Sequence, residues 1–307
     1  MRVNTLAIAD GVAEAVIVPE LGAGLASYDL LVDGRREPLF RPCRDLSAAR
    51  PFDLANNILI PWSGRISGGG FTFDGRFHAL GPNLPGEPLP IHGNGFSSAW
   101  SLAEASSDRA RLTFASSGPG PYRYDAEMTY ALEAGALLID LAVTSRAAIP
   151  LPYGLGLHPW FPRTPGTTLQ ARAITATLED NRHLPAGQVP VASRGEWDFG
   201  TPKHLPGAWV NNDFGPWDGH AVIRWEDRGL SLAVDATCGS ALTTFILYSP
   251  AFDADFFCFE PVTHPVDAHN RVGGPAAHGL TVLSSGETLA VGCRFVPGWL
   301  VPTRTGG

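Results

Sequence analysis

Apolar positions recur along this chain with a period of two more often than with the 3.6 of a helix, and turn formers interrupt them roughly every ten residues. Ala13 to Pro19 is apolar, Gly22-Ala23-Gly24 turns the chain, and Leu25 to Val32 resumes until Asp33-Gly34, a strong hairpin signal. Phe71-Thr72-Phe73 and Arg76 to Leu80 are two alternating arms around Asp74-Gly75. Further strands are expected at Arg109 to Ala115, Tyr122 to Leu132, Leu137 to Thr144, Leu169 to Leu178 and Gln188 to Val191. Others follow at Ala221 to Trp225, Leu230 to Ala236, Thr243 to Tyr248, Leu280 to Leu283 and Glu287 to Phe295. Cys43 to Ala55 is nearly the only helical candidate, and Pro42 and Pro51 hold it to one turn or two. The pattern therefore predicts an all-β chain, a large antiparallel β-sandwich. With no linker and no repeat of fixed period, residues 1–307 read as one domain.

Composition sharpens this picture. Gly (35) and Pro (27) make about a fifth of the 307 residues, and no low-complexity tract absorbs them, so they read as turn punctuation. The net charge of −8 and the lack of Lys/Arg runs argue against a nucleic-acid partner. No run of 18 apolar residues exists, so no membrane span is expected, and Met1 to Thr5 does not open a signal sequence. Cys43, Cys238, Cys258 and Cys293 show no CxxC spacing, which predicts reduced thiols in a cytoplasmic protein, a monomer or homodimer.

Candidate chemistry concentrates at strand ends. Phe256-Phe257-Cys258-Phe259-Glu260-Pro261 reads as a strand buried on both faces that carries a carboxylate into its last turn of ladder, where Pro261 should end the pairing. A carboxylate there is rigidly held and partly desolvated, which suits a general base. The competing reading is a rim carboxylate paired with an Arg. His92 stands between glycines in Ile91-His92-Gly93, and His158 ends the apolar stretch from Leu151 with Trp160-Phe161 beside it. His264 and His269, with Asp267 between them, have no diagnostic metal spacing, and no metal or cofactor is expected.

In combination these stretches resemble the aldose 1-epimerases, the galactose mutarotases. Ser63-Gly64-Arg65-Ile66 with the Phe-Thr-Phe-Asp-Gly hairpin is similar to that family's Asn-Arg-Ile and Phe-Thr-Leu-Asp-Gly segments. His92-Gly93, Leu157-His158-Pro159-Trp160-Phe161, Gly215-Pro216-Trp217-Asp218 and Phe259-Glu260-Pro261 follow in the family's order over essentially the whole chain. The resemblance implies a supersandwich with sugar bound on the sheet. It also implies Glu260 as general base and His158 as general acid, with Arg65, His92 and Asp218 on substrate hydroxyls. Gly64 replaces the usual Asn, Trp160 replaces the usual Tyr, and Thr244 to Tyr248 lacks the Gln that often contacts galactose, which marks a divergent branch. Asp213 rivals Asp218.

Anomer exchange asks for two proton-transfer groups on either side of one sugar, and each contributes on the order of 10²–10⁴. Trp62, Trp160 and Trp217 offer apolar faces for sugar C–H groups or pack in the core. The expected partner is therefore a small-molecule sugar. A hexose-6-phosphate mutarotase is one alternative, and a non-catalytic carbohydrate-binding sensor is another. A phosphate needs charge-assisted donors, and the motif blocks supply only Arg65, while Glu87, Asp213 and Asp218 stand in the loops expected to border the cleft.

Overall fold

The computed structural model describes residues 3–237 and 239–300; Cys238 and the chain ends at 1–2 and 301–307 lie outside the described residues, and with them the thiol expected at 238. The period-two alternation becomes two large antiparallel sheets, one of eleven strands and one of nine, in a β-sandwich. Across the middle of the larger sheet lie Asn56–Leu59, Gly156–Pro162, Phe256–Val262, Thr244–Ser249, Val210–Gly215 and Thr175–Glu179, each a neighbour of the next. The nine-stranded sheet is centred on Tyr124–Glu133, Ala136–Ser145, Thr288–Trp299 and Leu230–Ala236.

Alternation decides which side chains enter the main core. Leu157, Phe161, Phe257 and Phe259 join it, packed with Phe295, Leu141 and Ile139 of the nine-stranded sheet. Phe40 lies between the layers and meets Phe161 and Phe295 edge to face, with centroids 5.2 and 5.0 Å apart. Each such pair adds about 0.5–1.5 kcal/mol beyond area burial. The intervening residues His158, Trp160, Cys258 and Glu260 must then point to the outer face of the larger sheet. There Leu59, Ile246 and Val262 form a small separate apolar cluster with Val266 over it.

The Asp74-Gly75 turn takes the left-handed conformation at both residues, φ 49° and 71°, and joins Gly70–Phe73 to Arg76–Ala79 as the sequence predicts. The stretch after Cys43 holds two single 3-10 turns, Leu46–Ala48 and Pro51–Asp53. Two expectations fail. Leu169 to Leu178 is not one strand: Thr167–Ala171 joins the nine-stranded sheet and Thr175–Glu179 the other, because the chain crosses between layers at 172–174. Nor does Pro261 end its strand, which runs to Val262. Instead the ladder with Gly156–Pro162 pairs Gly156 with Val262, resumes at Trp160 with Cys258, and skips the interval between them. That interval contains Pro159 and Pro261, neither of which has an N–H to donate, and it holds His158 and Glu260. No helix among the described residues is long and apolar enough to cross a membrane.

Candidate active site

Strand register assembles the site floor. Trp160 stands opposite Cys258, Cys258 opposite Tyr248, and Tyr248 opposite Asn211. One pleat along, Asn57 stands opposite His158, Glu260 opposite Ile246, and Ile246 opposite Asp213. Directly opposed residues share a face, so two rows of side chains cross the outer face of the sheet. His158 and Glu260 meet where the ladder skips, with Nε2 3.4 Å from Oε1, well inside the reach of a single sugar ring. The His158 ring stacks on Trp160 at 5.1 Å and 6°, and Arg41 covers that indole with its guanidinium carbon 4.2 Å from the ring centroid.

Loops wall this floor into a pocket of about 230 Å³ lined by Phe52, Arg65, His92, His158, Trp160 and Glu260, with Tyr248, Asn211, Trp209 and His183 on the far side. The Ser63-Gly64-Arg65 turn is pinned by two imidazoles: the Gly64 N–H donates to His92 Nδ1 at 3.0 Å and the Ser63 N–H to His264 Nε2 at 3.1 Å. The His92 N–H donates back to Gly64 O at 3.0 Å. These bonds fix tautomers. His92 keeps its proton on Nε2. His264 keeps its proton on Nδ1 and donates it to Pro265 O at 2.9 Å. His92 itself is left-handed, φ 57°, and Gly93 must be glycine because a Cβ there would lie 1.9 Å from Ile60 O. Arg65 pairs with Glu87 at 2.8 Å. His269 Nε2 lies 3.0 Å from the Tyr122 hydroxyl, which donates to Pro152 O at 2.8 Å. His264 and His269 thus serve as struts behind the pocket.

Burial dominates the electrostatics. It pushes the Glu260 carboxyl well above the usual carboxylate range, with Arg65 pulling the other way. It pushes His158 down to about 3 and His92 well below an ordinary imidazole, the latter helped by His158, Arg65 and His264. Both shifts at the pair favour the uncharged forms, carboxylic acid beside neutral imidazole. Glu260 Oε2, His158 Nδ1 and Trp160 Nε1 are buried without a hydrogen-bond partner in the protein. Native interiors rarely leave such groups bare.

Ligand atoms of His158, Cys258 and Glu260 lie within 4.8 Å of one another. Burial and the neighbouring Glu260 push the Cys258 thiol well above its ordinary value, and the carboxyl is raised as well. A cation would have to displace protons from both groups, so the donor set is a poor fit for a resident metal.

Of the residues singled out in the sequence, Arg65, His92, His158, Trp160 and Glu260 line this one pocket. Asp218 does not, which corrects its expected place on the substrate. After Gly215 the chain leaves the larger sheet for His220–Trp225 of the other, and Asp218 closes that turn by accepting the His220 N–H at 3.2 Å. Asp213 is also absent from the lining; it is buried and pairs with Arg271 at 3.0 Å. Asn211 occupies the pocket instead. It belongs to the polar stretch that carries both aspartates, but it lies on the strand Val210–Gly215, and only the pairing with Tyr248 shows which way it points. Trp62 and Trp217 pack in the core.

Residues 4–295 match the profile of the aldose 1-epimerase family. The Escherichia coli (strain K12) protein YphB, whose function is uncharacterized, is 34% identical over 267 residues, 86% of this chain and 90% of its own. A crystal structure of an Escherichia coli K12 protein provisionally described as an aldose 1-epimerase superposes with a TM-score of 0.87 at 29% identity, covering 97% of this chain and 99% of that one. A galactose mutarotase-like protein from Clostridium acetobutylicum shares the fold, with a TM-score of 0.81 at 16% identity over 96% of this chain and 95% of its own. The chain belongs to the aldose 1-epimerase family.

Proposed function

We propose that the pocket interconverts the α and β anomers of a neutral aldose, with Glu260 as base and His158 as acid. The observation that carries this reading is the buried pair itself, 3.4 Å apart with Glu260 Oε2 and His158 Nδ1 unpartnered. In the reacting form the Glu260 carboxylate takes the proton of the anomeric hydroxyl while the His158 imidazolium gives one to the ring oxygen. The C1–O5 bond breaks, C1 becomes a carbonyl, and rotation about C1–C2 exposes its other face. Reversal of both transfers closes the ring as the other anomer. One proton leaves the pair and one returns, so nothing else is consumed.

In the dry pocket the uncharged arrangement, carboxylic acid beside neutral imidazole, is favoured by burial. Arg65 works toward the carboxylate, and hydrogen bonds from sugar hydroxyls to the charged forms would add to this. His92 Nε2–H is a donor for a substrate hydroxyl, and Trp160, stacked on His158 and covered by Arg41, holds the His158 ring in place. Arg65 spends its charge on Glu87, which supports a neutral substrate over a sugar phosphate. A binding protein would not require an acid and base in contact, so the pair also speaks against a purely sensory role. As part of this reading we take the chain as one domain acting in a reducing, cytoplasmic setting, with Cys43, Cys258 and Cys293 free. Polarimetry of freshly dissolved aldoses tests it: acceleration over the spontaneous rate is expected, and loss of about 10² or more in kcat on Glu260→Gln or His158→Ala.

A further inference from the structure

Two adjacent amides, Asn56 and Asn57, open the strand Asn56–Leu59, and all four of its residues are buried. Asn57 is 1% exposed, and neither its Oδ1 nor its Nδ2 has a hydrogen-bond partner. A buried amide without partners costs stability, and native interiors rarely keep one. Nothing in the chemistry above uses it. His158 Nδ1 shows the same deficit, buried and equally without a partner.

Register puts these two groups side by side. In the larger sheet Gly156–Pro162, which carries His158, lies between Asn56–Leu59 and Phe256–Val262. Asn57 stands opposite His158 on one side, and Glu260 meets His158 Nε2 from the other at 3.4 Å. The Trp160 N–H donates to Ala55 O at 2.9 Å and the Gly154 N–H to Pro61 O at 2.8 Å. Counting in twos between those bonds makes His158 and Asn57 a hydrogen-bonded backbone pair, with Cα atoms about 5.5 Å apart and side chains on one face. Alternation agrees: Ile58 enters the main core with Leu157, while Asn57 and Leu59 take the outer face with His158. At that separation, rotation about the last torsion of Asn57, a soft one, carries Oδ1 within reach of Nδ1.

The imidazole itself has little freedom. It stacks on Trp160 at 5.1 Å and meets Phe52 at 5.7 Å. The other polar ring beside it is His92, at 5.6 Å, whose Nδ1 is already taken by the Gly64 N–H. His92 therefore has only a donor to offer, and an acceptor for Nδ1–H must come from Asn57. Asn57 does not line the pocket, so it acts on substrate only through His158.

Building on the mutarotase reading, we propose that Asn57 is a positioning residue whose Oδ1 accepts the His158 Nδ1–H, completing a row of Asn57, His158 and Glu260 across three adjacent strands. That bond holds the Nδ1–H tautomer and leaves Nε2 as the atom that receives and gives up the catalytic proton. When the imidazolium passes its Nε2 proton to the ring oxygen of the sugar, the Nδ1 proton stays where it is. The neutral imidazole left behind is already the tautomer that the return transfer requires. Without the acceptor, the tautomer with its proton on Nε2 competes, and in that form Nε2 has no lone pair to take the proton back.

Nitrogen-15 NMR of the His158 ring at pH 7, assigned by its loss in His158→Ala, reads the tautomer directly. The parent is expected to carry a proton on Nδ1. Asn57→Leu, close in volume and without an acceptor, should move that proton to Nε2, and Asn57→Asp, which keeps an acceptor oxygen, should hold it on Nδ1. In anomer exchange, Asn57→Leu should lower kcat about tenfold or more while KM changes less than about threefold, because proton transfer is impaired and sugar binding is not. Asn57→Asp should recover part of that loss. A parent ring protonated on Nε2 alone, or an Asn57→Leu protein with the parent's tautomer and kcat, overturns the proposal. If Asn57→Leu does not fold, a crystal structure of the parent decides. Asn57 Oδ1 within about 3.2 Å of His158 Nδ1 supports the bond, and a separation beyond about 3.5 Å overturns it. Tautomer and distance are both read without turnover, so a protein that exchanges no sugar would sink the mutarotase reading while the role of Asn57 is decided separately.

Discussion

Replacing Glu260 with Gln should make the protein more stable and nearly inactive, and the size of the first effect should depend on pH. The carboxyl is 3% exposed and burial raises its pKa well above the ordinary range. In the unfolded chain it titrates near about 4.3. Between that value and the raised folded one, the native state binds the extra proton and the unfolded state does not. Unfolding free energy contributed by this group therefore falls as pH rises, by up to about 1.4 kcal/mol per unit. Gln has the same shape and no proton to bind, so it lacks this loss. His158 is pushed the opposite way, and its contribution rises with pH, but it is common to both proteins and cancels in the difference to first order. Urea unfolding of both proteins at pH 5, 6, 7 and 8 gives that difference directly. The stability advantage of Glu260→Gln should grow as pH rises from 5, by at most about 1.4 kcal/mol per unit. A Gln variant less stable than the parent at pH 7, or an advantage flat in pH, would refute the claim that a dry pocket holds this carboxyl.

Three further outcomes are expected. For the best neutral aldose, kcat/KM should exceed that for its 6-phosphate, since Arg65 is already paired with Glu87; a preference for the phosphate that fades with added salt would reveal a basic pocket. The pair keeps one proton until His158 takes a second, which burial defers to about 3, or until Glu260 loses its own. The pH profile of kcat should therefore lack an acid limb at the ordinary imidazole value near 6.5, and a fall centred there would contradict the assignment. Dialysis against a chelator should leave the rate unchanged, and loss restored by zinc would make His158, Cys258 and Glu260, within 4.8 Å of one another, a working metal site.

Much of this pocket was legible in the sequence because the proposed acid and base, with Arg65 and His92, lie in short contiguous motifs at strand ends or tight turns. The run around Glu260 even declares its faces: alternate phenylalanines go to the core, and Cys258 and Glu260 take the other side. Long-range register was not legible. Asn211 enters the pocket only because it stands opposite Tyr248. Asp218 misled because an Asp before Gly serves a turn as readily as a hydroxyl. The proline rule failed at Pro261 for a related reason: the missing donor weakens one ladder locally but leaves Phe245 and Ile246 paired on the other side. The consequence is a gap in pairing at the very residues proposed to do the chemistry.

The most direct test of the central claim is the rate of approach to anomeric equilibrium, followed by polarimetry or proton NMR from pure α-anomers of glucose and galactose. The account predicts catalysed exchange with the parent protein and a kcat lower by about 10² or more in Glu260→Gln and in His158→Ala, with both variants folded. Exchange at the spontaneous rate for every aldose tried, or undiminished catalysis in a folded Glu260→Gln, would contradict it.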